Sequence, residues 1–301
     1  MRIFNTMAAR AIPFVPHWLI RKISRRYIAG DTLHDAVPRI RALDAAGFDT
    51  TIDVLGETAA TAAQADAMTR DYLDLIAALG ADGLHAELSI KLTALGLLLD
   101  APGCVARVER VLHEAARYGL QACIDMEDVS CTQRTLDLFA SLEAAGHPVG
   151  IAVQAYLRRT HDDLPALAAR RSRMRICKGI YAEAASHLVE GAAHDRRAIN
   201  GPFFEHVVAA IEAGAFVGIA THDVQLIERL VAWIERERID ASRFEFQMLL
   251  GVCEPLRDRL RERGFRVRVY VPYGIDWYGY SVRRIKENPR IAGYVVAALF
   301  R

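Results

Sequence analysis

Polar side chains stand at the ends of short apolar runs throughout this sequence. Each of eight runs typical of buried strands contains, or is soon followed by, at least one of these residues: Glu57, Lys91, Asp125, Glu127, Gln154, Arg175, Lys178, Thr221, His222, Gln247 and Tyr270. A buried polar group without a partner costs roughly 1–3 kcal/mol. Such groups at corresponding positions of successive strands are therefore typical of a catalytic or binding site rather than of a core.

A second polar group lies near the C-terminal end, on one face of a predicted helix. Tyr280, Arg283, Arg284 and Glu287 are spaced i, i+3, i+4 and i+7, which places them on the same helical face. Two neighbouring guanidinium groups bind a carboxylate through paired hydrogen bonds, so this face is suited to an acidic substrate. An ordinary solvated face with an Arg–Glu ion pair has the same spacing and stays open here.

The apolar runs alternate with amphipathic stretches along the chain. The predicted strands are Thr50–Leu55, Ala86–Leu92, Gln121–Met126, Val149–Ala155, Met174–Cys177, Phe216–Ala220, Phe244–Met248 and Val267–Val271. Predicted helices include Ala59–Leu79, Val105–Tyr118, Thr132–Ala145, Phe203–Ala213 and Val224–Arg238. Glycines are expected to end five helices with positive φ, namely Gly80, Gly119, Gly146, Gly214 and Gly264.

Eight strands that alternate with helices predict an α/β fold, a (β/α)8 TIM-type barrel with an N-terminal helical extension. Residues 1–45 are assigned to the extension and residues 46–301 to the catalytic barrel. An open, doubly wound sheet is the alternative, and it is weakened because no G-x-G-x-x-G follows the first strand. In a barrel the active site lies at the carboxyl ends of the strands, where the polar residues stand.

Composition restricts the function classes. The 301 residues carry a formal net charge of +1, so no general attraction to nucleic acid is expected. Five cysteines without a C-x-x-C pair are expected to be reduced and mostly buried, which predicts a cytoplasmic protein. The basic stretch Trp18–Tyr27 is predicted to pack on the barrel, with contact to a membrane surface as the alternative. Only four basic residues are lysines, and two of them, Lys91 and Lys178, stand at strand ends.

Eight short motifs in this order resemble those of the proline dehydrogenase family. They are Leu55-Gly56-Glu57, Ser89–Thr93, Asp125-Met126-Glu127, Gln154-Ala155-Tyr156, Arg175–Tyr181, Ala220–Asp223, Glu245–Gly251 and Tyr280–Asn288. The last resembles the family's Y-x-x-R-R-x-x-E-N, and together the motifs cover about residues 45–290. The resemblance implies oxidation of L-proline to Δ1-pyrroline-5-carboxylate by hydride transfer to FAD. This is the first step of proline catabolism to glutamate, and the electrons pass on to a quinone-type acceptor.

The resemblance also implies roles for individual residues. The substrate is expected to be held, oriented and gated by Lys91, Asp125, Leu249, Tyr270, Tyr280, Arg283, Arg284 and Glu57. FAD is expected to contact Gln154, Arg175, Lys178, Gly179, Tyr181, Thr221, His222 and Gln247. No metal is expected. The implied partners are L-proline, a quinone or other membrane electron acceptor, and a pyrroline-5-carboxylate dehydrogenase. Peripheral binding at the inner face of the membrane stays open.

Two positions depart from the family motif. Ala182 stands where some members have an aromatic residue, and Ile180 replaces a smaller alanine, so the contacts to the flavin are expected to differ. Tyr280 favours proline over hydroxyproline, because hydroxyproline oxidases are expected to have a smaller residue there. A Schiff-base lyase using Lys91 or Lys178, a metal-dependent barrel hydrolase and a non-catalytic barrel are further alternatives. The lack of H-x-H and H-E-x-x-H spacing argues against the metal enzyme.

Overall fold

The computed structural model describes residues 17–56 and 58–287, with the backbone alone at positions 17, 19, 23 and 283–287. Eight parallel strands form a closed barrel in chain order, and the last strand pairs with the first. The strands are β1 Asp49–Val54, β2 Ala86–Ile90, β3 Gln121–Ile124, β4 Val149–Gln154, β5 Met174–Cys177, β6 Val217–Ala220, β7 Phe244–Leu249 and β8 Val267–Tyr273. The predicted (β/α)8 barrel is therefore confirmed, and the open sheet was the wrong alternative.

Within the described residues, one α-helix follows each strand, and two helices precede the barrel. The first two are α1 His17–Ser24 and α2 Leu33–Ala45. Those that follow the strands are α3 Ala62–Ala81, α4 Ala101–Arg117, α5 Val129–Ala144, α6 Thr160–Ala169, α7 Asn200–Glu212, α8 Val224–Glu237, α9 Glu254–Glu262 and α10 Trp277–Glu287. Throughout the described ranges, no helix has the length and hydrophobicity of a membrane span. The division of the chain at residue 45 stays a prediction.

The predicted helix end at Gly80 is wrong. Gly80 lies inside α3, which continues to Ala81, and Gly83 has the positive φ of 63° beyond the helix end. A Cβ atom at Gly80 would lie 2.1 Å from the ring of Tyr118. Glycine is therefore needed at this position for close packing against Tyr118 rather than for a change of backbone direction. The other four predicted glycines all have positive φ beyond the ends of their helices: Gly119, Gly146, Gly214 and Gly264.

Burial divides the strand residues into two sets. Apolar residues such as Ile52, Leu88, Ile151 and Val269 are fully buried in the core cluster that includes residues of the surrounding helices. Alternate strand positions are polar and bond one another across the barrel lumen: Thr51, Asp53, Glu87, Ser89, Arg175, Glu245, Gln247, Arg268 and Tyr270. This follows from the two-residue period of a strand. Barrel interiors are usually filled by branched apolar side chains, so this lumen is unusual.

Candidate active site

Eight charged side chains in the lumen form a continuous series of ion pairs, called here the ionic chain. Successive members lie within 3.4 Å of each other, from the carboxyl end of the barrel inward: Asp53, Lys91, Asp125, Arg175, Glu87, Arg173, Glu245 and Arg268. Four members are acids and four are bases, so their formal charges cancel. Buried charges are tolerated when they are paired in this way.

Lys91 is held between two carboxylates directly after β2. Its Nζ bonds Asp53 and lies 3.3 Å from Asp125 Oδ2 and 3.4 Å from the Tyr270 hydroxyl. Burial alone would lower the pKa of Lys91, but the acidic groups of Asp53, Tyr270 and Asp125 raise this pKa well above its usual value. Lys91 is therefore a permanent cation. It is suited to binding an anion and unsuited to forming a Schiff base, which needs the neutral amine.

Asp125 connects Lys91 with the centre of the lumen. Its Oδ1 accepts hydrogen bonds from Arg175 Nη1 at 2.6 Å and Ser89 Oγ at 2.7 Å, and its Oδ2 accepts one from the Tyr270 hydroxyl at 2.9 Å. Burial opposes ionisation, but Lys91 and Arg175 outweigh it and lower the pKa of Asp125. Burial and the Asp125 charge raise the pKa of Tyr270 well above its usual value. Asp125 is thus ionised, and Tyr270 is a neutral hydrogen-bond donor.

Arg175 has partners on three other strands or strand ends. Its Nε donates to Gln247 Oε1 at 2.7 Å, and its Nη2 donates to Glu87 Oε1 at 2.6 Å. Together with the bond from Nη1 to Asp125, these hydrogen bonds hold all three nitrogens of the guanidinium group in place. Burial alone would lower the pKa of Arg175, but the surrounding acidic groups raise it well above its usual value. The guanidinium is therefore fixed in position and charge, with its Cζ 5.4 Å from the centre of the Tyr270 ring.

The predicted cofactor residues lie on the neighbouring part of the rim, at the ends of β4, β5 and β6. Gln154 is buried and donates from Nε2 to the Glu127 carbonyl at 2.8 Å. Lys178 Nζ donates to Asp223 Oδ2 at 2.7 Å, and Thr221 Oγ1 accepts from the Asp223 amide at 3.2 Å. Because β4, β5 and β6 are adjacent in the barrel, the polar groups of their ends share one side of the mouth.

The loop after β5 requires its glycine. Gly179 has φ of 94°, and a Cβ atom there would lie 2.2 Å from the Tyr156 ring. Its carbonyl accepts a hydrogen bond from Arg196 at 2.8 Å, and the Tyr181 carbonyl accepts one from the Tyr156 hydroxyl at 3.3 Å. Ile180 is half-buried and Ala182 is exposed, so the two departures from the family motif lie in this same loop.

Two predicted residues link the last strands. His222 Nε2 accepts a hydrogen bond from the Leu249 amide at 2.8 Å, which connects the ends of β6 and β7. Inside the lumen, Gln247 Oε1 accepts the hydrogen bond from Arg175, and Gln247 Nε2 donates one to Glu245 Oε1 at 2.7 Å. The structure thus places Gln247 as a support for Arg175.

Helix α10 carries the predicted carboxylate clamp. It spans Trp277–Glu287, as the helical spacing requires, and Tyr280 is 6% exposed. The side chains of Arg283, Arg284 and Glu287, and the whole of Glu57, lie outside the described part of the chain. Their roles therefore stay predictions. Over the described ranges, no three His, Cys, Asp or Glu residues form a group suited to a metal ion.

Several members of this site were not predicted from the sequence. Asp53 binds Lys91, Glu87 binds Arg175, and Asp223 binds Lys178. Arg268 and Glu245 continue the network towards the amino end of the barrel. Asp223 precedes a helix, but the strand residues Asp53, Glu87, Glu245 and Arg268 each stand two positions from another polar residue of the same strand. This period of two was the signal in the sequence that could have identified them.

Comparisons with known proteins identify the family of this chain. The family model described as proline dehydrogenase matches residues 36–296. The chain belongs to the proline dehydrogenase family. Proline dehydrogenase 1 of Bacillus subtilis subsp. natto is 34% identical over 278 residues, which cover 92% of this chain and 91% of that protein. The proline dehydrogenase of Deinococcus radiodurans is also 34% identical, covering 93% and 90%.

Solved structures show the same fold for family members. Proline utilization A from Bdellovibrio bacteriovorus, inactivated by N-propargylglycine, matches with a TM-score of 0.81 and 22% identity. The match covers 89% of this chain and 33% of that protein, so the chain spans about a third of the larger enzyme. The sequence resemblance and the prediction of an oxidoreductase of this family are both confirmed.

Proposed function

We propose that this enzyme oxidises L-proline to Δ1-pyrroline-5-carboxylate with FAD as the hydride acceptor. The observation that carries the proposal is the division of the barrel mouth. A permanent cation, Lys91, stands beside Asp125 and Tyr270 on one side, and polar groups suited to a flavin stand at the ends of β4 to β6 on the other. Family membership supplies the substrate class. The reaction is the first step of proline catabolism to glutamate.

The donor set at the ends of β4 to β6 fits FAD. Gln154 offers an amide for the pyrimidine edge, while Lys178, Thr221 and His222 offer a cation and polar groups for the ribityl and pyrophosphate parts. Asn200 donates to Asp223, the partner of Lys178, but its Oδ1 is buried with no hydrogen-bond partner among the described residues. Such an atom is a polar contact that a bound ligand would satisfy. FAD held by these residues would supply the acceptor for a hydride from the substrate carbon next to the nitrogen.

We assign the flavin contacts as the sequence predicts, with one refinement. The residues are Gln154, Arg175, Lys178, Gly179, Tyr181, Thr221 and His222, and Gln247 acts by holding Arg175. A fixed positive charge stabilises negative charge that develops nearby without reorganising during the reaction. Arg175 is suited to that role because its three nitrogens are all bonded to the barrel.

On the substrate side, the residues of this chain bind and orient. Lys91, with Arg283 and Arg284 from α10, holds the proline carboxylate. Asp53 and Asp125 keep Lys91 charged, and the Tyr270 hydroxyl helps to hold it in place. We assign Tyr280 and Leu249 to the walls of the ring pocket and Glu57 to a gate. Holding both reactants in alignment is the main contribution that a protein makes to hydride transfer.

The surface at the same end of the barrel supports an apolar electron acceptor. Leu98 and Leu99, in the loop after β2, are each 46% exposed, and Ile275, after β8, is 77% exposed. We propose a quinone-type acceptor, with the enzyme in the cytoplasm and bound peripherally at the inner membrane face. The bifunctional protein PutA of Klebsiella aerogenes is 26% identical, and the match covers only 24% of it. We propose a pyrroline-5-carboxylate dehydrogenase as the partner that consumes the product.

The test of the proposed function is spectroscopic. Purified protein reconstituted with FAD should show flavin absorbance, and anaerobic addition of L-proline should bleach it. Addition of 4-hydroxyproline should bleach it more slowly, because the buried Tyr280 leaves less room for the hydroxyl group. A protein that binds no FAD, or whose flavin is unaffected by proline, would contradict the proposal.

The clamp is tested separately by Arg284→Met. Loss of one carboxylate-binding charge should weaken proline binding by about 2–5 kcal/mol and raise KM accordingly. Arg236→Met is the matched control, since Arg236 is 70% exposed on α8 and paired with Glu237. Equal KM values for the two variants would show that Arg284 does not bind the proline carboxylate.

A further inference from the structure

The segment before the barrel reaches the carboxyl end of the last strands. Residues 20–30, called here the N-terminal brace, comprise most of α1 and the chain that follows it. The Ala29 amide donates to the Pro272 carbonyl at 2.9 Å, and the Gly274 amide donates to the Gly30 carbonyl at 3.0 Å. The brace therefore joins the chain just where β8 leads into α10.

The same segment also reaches the loop after β7. Arg26 Nε donates to the Gly251 carbonyl at 3.1 Å, and Arg26 Nη2 lies 3.0 Å from Glu254 Oε2. Gly251 has φ of 72°, and a Cβ atom there would lie 2.2 Å from the Arg26 carbonyl oxygen. This close approach fixes the brace against the loop that follows Leu249.

The brace also contacts α10 directly. Ser24 Oγ and Ser281 Oγ are 2.6 Å apart and buried, and the Arg21 guanidinium lies 4.6 Å from the centre of the Trp277 ring. Within residues 17–56 and 58–287, α1 is the one helix or strand with extensive backbone contacts to α10. The position of α10 therefore depends on the brace more than on the barrel helices.

From these contacts we propose that Ser24 and Ser281 are positioning residues for substrate binding. This inference rests on the proposed function, in which α10 supplies Tyr280, Arg283 and Arg284. Ser281 directly follows Tyr280 on the helix, and Arg283 and Arg284 come two and three positions after Ser281. All four residues therefore move together with one rigid helix. Loss of the Ser24–Ser281 hydrogen bond loosens α10, and the side chains that capture the substrate carboxylate lose their alignment.

The test compares Ser24→Ala, Ser281→Ala and the double variant with wild type. Each single variant should raise KM for proline by roughly 3- to 10-fold, the factor that one buried hydrogen bond contributes, with kcat and FAD content close to wild type. The double variant should be no worse than either single variant, because both remove the same bond. Ser141→Ala is the control, since that hydroxyl donates to Leu138 inside α5.

Hydrogen exchange gives a second readout that does not depend on the substrate. The amides of residues 277–287 should exchange faster in Ser24→Ala than in wild type, while those of α5 should not change. A KM equal to that of Ser141→Ala, additive effects in the double variant, or a parallel loss of kcat, FAD and stability would overturn the proposal. If wild type does not oxidise proline, the proposed function fails, and unchanged exchange in α10 would then overturn the brace as well.

Discussion

Arg175 joins the two sides of the barrel mouth through its hydrogen bonds. Glu87 and Asp125 hold it from β2 and from the end of β3, and Gln247 holds it from β7. A lysine cannot replace these contacts, because one ammonium group cannot reach three separate acceptors with fixed geometry. The residue therefore combines a permanent charge with a single position, which is what electrostatic catalysis requires.

Asp223 provides a pH-dependent contribution to stability. Burial opposes its ionisation, but the hydrogen bonds from Lys178 and Asn200 outweigh burial and lower the pKa of Asp223. Its contribution is present above the unfolded pKa of about 3.9 and is lost as the pH falls through the lower folded value. Asp223→Asn keeps an acceptor for the Leu226 amide at the start of α8, but it removes the charge and the Oδ2 acceptor of Lys178 and Asn200.

We expect Asp223→Asn to lower the free energy of unfolding by roughly 1 kcal/mol at pH 7, and by less below pH 4. Urea unfolding of both proteins at pH 7, 5, 4 and 3 measures this difference. Asp137→Asn, an exposed position on α5, serves as the control. A difference between wild type and Asp223→Asn that stays constant over this range would contradict the assignment.

Residue types at strand ends could be predicted from the sequence, but their partners could not. Lys91, Asp125, Gln154 and Tyr270 lie at the rim or in the lumen as expected, because parallel strands end together. The partnership of Arg175 with Glu87 joins residues 88 positions apart in the sequence. Such a contact depends on which strand positions share a level in the closed barrel, and apolar patterning does not record that.

At the scale of helices and strands, the alternation of apolar runs with amphipathic stretches predicted that each strand exists. It predicted the first and last residues of the strands less accurately. All eight predicted strands overlap observed ones, with ends that differ by at most two residues. β8 is longer than predicted because its pairing with β1 continues through Pro272 to Tyr273. Proline has no amide hydrogen, so a sequence pattern ends the strand there. In the structure the Pro272 carbonyl accepts a hydrogen bond from the Ala29 amide, and the Tyr273 carbonyl continues the pairing with the β1 side through the Leu55 amide.

Gly218 shows how a strand position can fix a polar side chain of the lumen. A Cβ atom on Gly218 of β6 would lie 2.3 Å from Gln247 Nε2. Gln247 cannot move aside easily, because it is bonded to both Arg175 and Glu245. Gly218→Ala should therefore displace Gln247, lower the free energy of unfolding by about 1–3 kcal/mol and reduce kcat/KM.

The matched control for Gly218→Ala is Gly201→Ala, near the start of α7, where a Cβ atom would meet nothing within 4 Å. That change should be neutral or slightly stabilising. Denaturant unfolding and proline kinetics on both variants measure the two effects. Wild-type stability and kcat/KM in Gly218→Ala would refute the contact.

At the scale of the whole molecule, the ionic chain makes the barrel interior a balanced set of charges. Glu245 and Arg268 lie at the end far from the proposed substrate, with Arg268 Nε 2.6 Å from Glu245 Oε1. Glu245→Gln should cost about 3–5 kcal/mol, since it leaves the buried Arg268 guanidinium with only the more distant Asp49 carboxylate, at 3.7 Å, as an ion-pair partner. Glu245→Gln combined with Arg268→Gln restores the balance and should cost less than the single change.

Denaturant unfolding of the single and double variants measures this recovery. The exposed pair Arg263 and Glu235 provides the control, since its removal should cost less than about 1 kcal/mol. A double variant as unstable as the sum of its two single variants would show that charge balance does not govern the lumen.

The acidic and basic members of the ionic chain are not distributed evenly between the two halves of the barrel. Among these members, three carboxylates and one lysine belong to β1 to β4 and their ends, namely Asp53, Glu87, Asp125 and Lys91. β5 to β8, with the residue before β5, carry three guanidinium groups against one carboxylate, namely Arg173, Arg175, Arg268 and Glu245. The members of the ionic chain therefore give the first half of the barrel two excess negative charges and the second half two excess positive charges. We expect the two halves to attract each other during folding and a half that meets a copy of itself to be repelled, so that charge favours closure of the correct barrel.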